Sequence, residues 1–438
     1  MKDPYSHAEI RRIAVPMIIT AVSTPLLGMV DTAVMGHLDE PVFLGAVAAG
    51  ATIFSILFMG LNFLRMGTTG ITAQAFGAAD QDTLRTALGQ PAIVAVILAT
   101  SMILLREPIF ATAMWALSPS ESVGAATAMY FDIRIWSAPF SLLNFVLIGW
   151  LLGMQNARGP LVIVLVGNSV NIVLDLVFVL LLGMTADGVA LATVIAEVVG
   201  GLIGIVFVRA ELADHPGHWL RAQFVSVVSY GRLFDVNANL FLRTMALMFV
   251  FAFITARGAR MGDVILAVNA LLMNFQYFLA YALDGIALAA EALVGKATGG
   301  RDYRGIRRVV RRTMQWSLLV ATGFVGLYAL AGPLIIGLLT DIPELRVAAR
   351  DYLPWLIVSP LISVWSFLYD GVFVGLTRTR ELMIIMVGSA AAVFLPVWAL
   401  SQPLGNHGLW LAFTAFMLAR GIGMQIGYVR IQSRLAAV

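Results

Sequence analysis

PLVIVLVGNSVNIVLDLVFVLLLG, residues 160–183, is 24 residues long and carries a single ionisable side chain, Asp175. An α-helix needs about 20 apolar residues to cross a hydrocarbon layer ~30 Å thick. A membrane β-strand would need about ten residues in strict polar–apolar alternation, and this stretch does not alternate. Asn168, Asn171 and Asp175 follow i, i+3, i+7 spacing, so they share one stripe of a helix. A carboxylate at mid-bilayer costs roughly 2.5–3.5 kcal/mol on insertion scales, so the stripe should face protein rather than lipid. The stretch reads as a spanning helix with a polar face turned into a bundle.

The rest of the chain repeats this pattern. Of its 438 residues 60% are hydrophobic and only 12% charged, with a mean hydropathy of +0.89. Soluble domains carry roughly a quarter charged residues, so water is not the main solvent here. Lipid offers the backbone no hydrogen-bond partners, which leaves helices as the spanning elements. Apolar runs fall at roughly 10–35, 44–70, 84–106, 125–153, 160–183, 187–208, 232–256, 264–294, 308–331, 347–375, 381–400 and 407–430. The expected fold class is therefore an all-α polytopic membrane protein of twelve transmembrane helices in two six-helix bundles. The longest polar stretch, 209–231, divides an N-lobe (1–208) from a C-lobe (232–438) and reads as a cytoplasmic linker.

The opening MKDPYSHAEIRR runs straight into a long span, with no cleavable signal peptide evident. With the N-terminus inside, inner loops and tails hold 19 Lys and Arg and outer loops hold five. The positive-inside rule then places both termini in the cytoplasm. The basic run at 301–312 reads as part of that signal, beside anionic lipid. A net charge of +3 is low for a nucleic-acid binder. There is no cysteine, and five scattered histidines form no HExxH spacing, so thiolate and zincin sites are excluded. No GxSxG elbow and no Walker A motif occurs, so neither enzymatic hydrolysis nor ATP drive is expected.

The halves resemble each other at an offset near 222. AQAFGAAD (73–80) matches GKATGGRD (295–302), and GMQNAR (153–158) matches GLTRTR (375–380). Tyr130 falls on Tyr352 and Asn62 on Asp284, while DGVALA (187–192) meets HGLWLA (407–412) at an offset of 220. Six spans per copy give a parallel repeat, a design suited to alternating access about a central cleft.

Polar residues inside spans mark the functional candidates. In the first half these are Asp31, Asn62, Tyr130, Arg134, Asn168, Asn171, Asp175, Thr193 and Glu197, the last two an i, i+4 pair. The first span is interrupted by Pro16 and Pro25, and proline bends a helix. At the repeat offset Asp31 falls on Phe253, Asn171 on Val393 and Asp175 on Val397. Scaffold features recur in both copies, whereas these polar groups occur once, as chemistry needed once would. The second half has its own acids, Asp284, Glu291 and Asp370.

With PLLGMVDTAVMGHL (25–38), AQAFGAAD and its echo, and the Asn171–Asp175 pair in order, the chain resembles a MATE (multidrug and toxic compound extrusion) transporter of the DinF-type prokaryotic branch. The resemblance covers essentially the whole chain. It implies proton coupling at Asp31 and Asp175, support from Tyr130, Asn171 and Thr193, and bending of the first span at Pro16. It also implies a bacterial or archaeal inner-membrane monomer without cofactors, moving amphipathic organic cations or drugs through a cavity to which Asn168, Asn62 and Met29 would contribute. Met side chains adapt to varied shapes; Met35, Met59 and Met154 are further candidates. The coupling ion could instead be sodium, as in the NorM-type branch, but the seventh span lacks the acid that branch uses. A lipid or lipid-linked sugar flippase is the other alternative, one that the sparse intramembrane Arg disfavours.

Overall fold

The computed structural model describes residues 3–35 and 41–436, apart from the side chains of Thr24, Leu26, Met29, Thr32, Met35, Leu435 and Ala436. The Met29 and Met35 side chains named above, and residues 36–38 of the first-span motif, thus lie outside the described residues. No strand occurs among those described. The first helix, α1, is His7–Met35. Eleven more are long and apolar enough to cross a membrane: α2 Pro41–Gly77, α3 Gln81–Leu104, α4 Glu121–Gly153, α5 Arg158–Leu181, α6 Ala186–Asp214, α7 Val227–Arg260, α8 Asp263–Gly299, α9 Tyr303–Leu339, α10 Pro343–Gly375, α11 Thr379–Leu404 and α12 Asn406–Arg434. Among the described residues, α1 and these eleven helices correspond in order to the twelve sequence runs.

The helices are not uniform rods. α2 is broken by a turn at Asn62. α5 changes from α to π geometry at Leu176–Leu181, immediately after Asp175, and α11 has its own π segment at Ala390–Phe394. Such segments are rare and tend to sit at functional sites. Arg106–Leu117, expected as loop, is a short helix with no buried residue. The polar stretch 209–231 is also more than a tether. It contains a helical turn, Arg221–Val225, and it is tied to α3: the Arg85 guanidinium donates to the His215 and Leu212 carbonyls (2.8 and 3.3 Å), and Gln90 donates to Gln223 O at 2.8 Å.

The duplication is visible atom by atom. Asp80 caps α3 by accepting from Thr83 N (3.0 Å), and Asp302 caps α9 by accepting from Gly305 N (2.7 Å). Each cap satisfies an amide that the helix start leaves without a partner. Just before each cap a non-glycine residue adopts positive φ, Ala79 at 55° and Arg301 at 53°. The turns after α4 and α10 do likewise, at Gln155 (65°) and Thr377 (51°). A left-handed side-chain-bearing residue is uncommon, so two recurrences at one spacing reflect a shared backbone path.

Glycines explain the tightest crossings. A Cβ on Gly149 of α4 would sit 2.5 Å from Arg65 O in α2, and one on Gly371 of α10 would strike Ala287 O in α8. One helical turn on, Gly153 abuts Thr72 and Gly375 abuts Glu291 O. Each crossing therefore brings backbone against backbone, the small-residue packing typical of membrane helices.

The chain forms two compact units, residues 19–234 and residues 1–18 with 235–438. The dividing point lies inside α1, two residues beyond Pro16, whereas the sequence reading assigned all of 1–208 to one lobe.

Candidate functional site

In the 19–234 unit, α5 carries the polar stripe inward. Asp175 has no solvent exposure and Asn171 is buried beside it. Asp31, from α1, lies within hydrogen-bonding reach of Asp175, so the two carboxyl groups face each other across the helix contact. One oxygen of each, Oδ1, is buried without a hydrogen-bond partner. Arg134 of α4 is close enough to act electrostatically on both Asp31 and Tyr130. It donates to Ser137 Oγ at 3.1 Å and lies 5.4 Å above the Phe54 ring. No ion pair within 4 Å joins Arg134 to either acid among the described residues.

Asn171 sits between Asp175 and Thr193. In one orientation its amide nitrogen donates to Thr193 Oγ1 at 3.1 Å, and its oxygen faces Asp175 Oδ2 at 2.9 Å. Turned over, the nitrogen donates to Asp175 Oδ2 at 2.9 Å, and the oxygen accepts from Thr193. An ionised carboxylate can only accept, whereas a protonated one can donate. The first orientation therefore suits protonated Asp175 and the second suits the carboxylate.

Five candidates thus converge: Asp31, Asp175, Tyr130, Asn171 and Thr193. Tyr130 is placed by Gly50 of α2, where any Cβ would collide with its ring. Asn168, one turn along the stripe, donates to Ser23 O and Oγ (both 3.3 Å) and ties α5 to α1. Asn62 lies at the α2 break, its oxygen accepting from Arg65 Nε at 3.1 Å. Glu197 is drawn away from Thr193, receiving Asn144 Nδ2 at 2.8 Å. Pro16 lies within α1. Met154 is buried and Met59 is 46% exposed, so neither lines the acid pair's surroundings in an obvious way.

The other unit holds a cluster that single-residue reading missed. Asp370 of α10 accepts from both Arg243 of α7 and Arg420 of α12, the latter at 2.9 Å with Arg420 only 2% exposed. The signal was available, since Arg243 and Arg420 lie inside spans and an intramembrane cation needs a partner. Nothing in the linear order, however, joins residues 243, 370 and 420.

Two copies of an apolar helical unit, with two acids brought together in one copy only, have the build of a membrane transporter. The MatE family profile matches the chain twice, at residues 16–177 and 240–400. DNA damage-inducible protein F of Escherichia coli (strain K12) is 45% identical over 414 residues, covering 94% of this chain and 90% of that protein. Multidrug resistance protein NorM of Vibrio parahaemolyticus is 25% identical, covering 94% of each. The crystal structure of a MATE protein in its bent conformation superposes with a TM-score of 0.88 at 20% identity, covering 98% of this chain and 96% of that one. The chain belongs to the MATE family of membrane transporters.

Proposed function

We propose that this chain is a multidrug efflux antiporter that expels amphipathic organic cations in exchange for protons. The observation that carries this reading is the Asp31–Asp175 pair, in which a fully buried acid faces a half-buried one, with no guanidinium within 4 Å of either acid among the described residues. Both acids ionised beside one Arg134 leave the site with one net negative charge, and a single proton on the pair makes it neutral. An organic cation compensates the first state and gains nothing from the second. Proton and substrate therefore compete for the same charge, which is the requirement for antiport. Asn171 follows the exchange: its amide turns with the protonation of Asp175, and through Thr193 the change passes from α5 to α6. Asn168 passes it to α1 through Ser23. α1 then bends about Pro16, whose missing N–H leaves the Arg12 carbonyl without its usual helical partner.

Sodium coupling through the other unit finds less support. A cation approaching Asp370 would meet two guanidinium groups already in contact with it. The test uses proteoliposomes loaded with a fluorescent organic cation. An imposed pH gradient without sodium drives its transport, and a sodium gradient alone does not. If sodium alone drives it, or if Asp31→Asn retains wild-type pH-driven flux, the proposal is wrong.

A further inference from the structure

At one end of the unit formed by residues 1–18 and 235–438, α9, α10 and α12 enclose a cleft of about 380 Å³. Arg307, Arg308 and Arg311 line it from α9, and no Asp or Glu is among its lining residues. Its floor is a pair of buried tyrosines, Tyr369 and Tyr428, with ring centroids 5.4 Å apart. The Tyr369 hydroxyl donates to Gln425 Oε1, and Gln432 Nε2 donates to the Tyr428 hydroxyl at 2.5 Å.

The neighbouring arginines are matched differently. Arg312 and Arg308 are engaged by Asp3, at 2.5 and 3.5 Å, and Arg308 lies 3.8 Å from Asp302. Arg307 and Arg311 have no carboxylate within 4 Å among the described residues, and their i, i+4 spacing aims both into the cleft.

The repeat shows what such a position normally holds. Arg307 is the counterpart of Arg85, at the offset of 222 that the two Asp caps fix. Arg85 is buried, and its guanidinium is satisfied by the His215 and Leu212 carbonyl oxygens, while Phe224 and Trp219 of the same segment close over Gly89. In the 19–234 unit, then, chain oxygens and aromatic rings fill the groove. In the other unit the groove stands open among the described residues, with its cations exposed.

We infer that this cleft binds a phosphate group, carried by an anionic lipid headgroup. Paired guanidiniums recognise phosphate oxygens through charge-assisted hydrogen bonds, and the polar tyrosine floor offers further hydrogen-bonding groups. A lipid is favoured over a soluble phosphate by what adjoins the cleft. Leu418, Ile422, Ile426 and Val429 form an exposed apolar stripe along α12 that runs up to Tyr428 and Gln432, a track for an acyl chain.

The test uses the full chain in detergent micelles, with phosphatidylglycerol titrated in and binding read by native mass spectrometry. Wild type binds one phosphatidylglycerol saturably, and phosphatidylcholine does not compete. R307Q/R311Q lowers the affinity about thirtyfold, roughly fivefold for each charge removed. R301Q/R304Q removes the same charge from the same end but outside the cleft, and leaves binding unchanged. Equal loss in both double variants would mean a diffuse surface attraction and would overturn the inference, as would unchanged binding in R307Q/R311Q. Displacement of the lipid by millimolar inorganic phosphate alone would overturn the lipid assignment. Both double variants change exposed side chains only, so thermal unfolding of each should match wild type.

Discussion

The two units share a backbone and differ in where they bury charge. Asp31 and Asp175 meet in residues 19–234, and at the equivalent positions of the other unit stand Phe253 and Val397. There Phe253 packs edge-on against Trp398 (4.8 Å) and Phe394 (5.3 Å), with Arg257 stacked 4.3 Å over Trp398. Conversely, the Arg243–Asp370–Arg420 cluster maps onto Ala21, Ile148 and, at the offset of 220, Gly200. One copy keeps two acids with no bonded cation. The other keeps one acid between two cations. The first arrangement changes its charge when a proton arrives. The second has its acid already paired with two cations and ties three helices together.

This contrast can be broken most forcefully at Asp370. Asp370→Asn takes from the buried Arg420 and the half-buried Arg243 the carboxylate they share and should destabilise the chain by about 3–5 kcal/mol. Thermal unfolding in detergent would show it. Asp175→Asn, by contrast, replaces an acid by its neutral shape-mimic beside Asn171 and should leave unfolding near wild type. If the two variants unfold alike, the division into a switching and a structural site fails.

A smaller effect is expected at Asn171. Asn171→Ala removes a hydrogen bond worth about 1 kcal/mol and should slow pH-driven flux roughly fivefold, without abolishing it. A loss equal to that of Asp175→Asn would make Asn171 a primary site rather than a follower.

The smallest effects test the duplicated frame. Asp80→Ala and Asp302→Ala should each cost about 1 kcal/mol, the usual value of an N-cap. The Thr83 hydroxyl and amide hold the Asp80 carboxyl below its ordinary range. Its cap therefore contributes fully above the ordinary carboxylate pKa of about 3.9 and is lost as the pH falls through the lowered folded value. Unfolding followed between neutral and strongly acid pH should show wild type converging on Asp80→Ala.

Much of this was legible in the chain itself. Run lengths gave the spans because hydrocarbon thickness sets them, and the repeat was readable because both copies need the same caps, left-handed turns and crossing glycines. Asp31 and Asp175 stood out because an acid in an apolar run is costly wherever it occurs. The Asp370 cluster was hidden, since pairing depends on three helices distant in sequence. Glu197 shows the same limit: its i, i+4 neighbour Thr193 was visible, whereas its hydrogen-bond partner Asn144 is 53 residues away. The anchoring of 209–231 to α3 was equally out of reach, because polar composition does not distinguish a free linker from one that hydrogen-bonds a helix.

Proton counting tests the central claim most directly. An organic cation added to the detergent-solubilised chain in weak buffer should displace a proton, read by a pH indicator dye. Release should persist in Asp370→Asn, provided that variant is assayed while folded, and vanish in both Asp31→Asn and Asp175→Asn. Undiminished release from Asp175→Asn, with substrate still bound, would place the exchanged proton elsewhere and contradict the account.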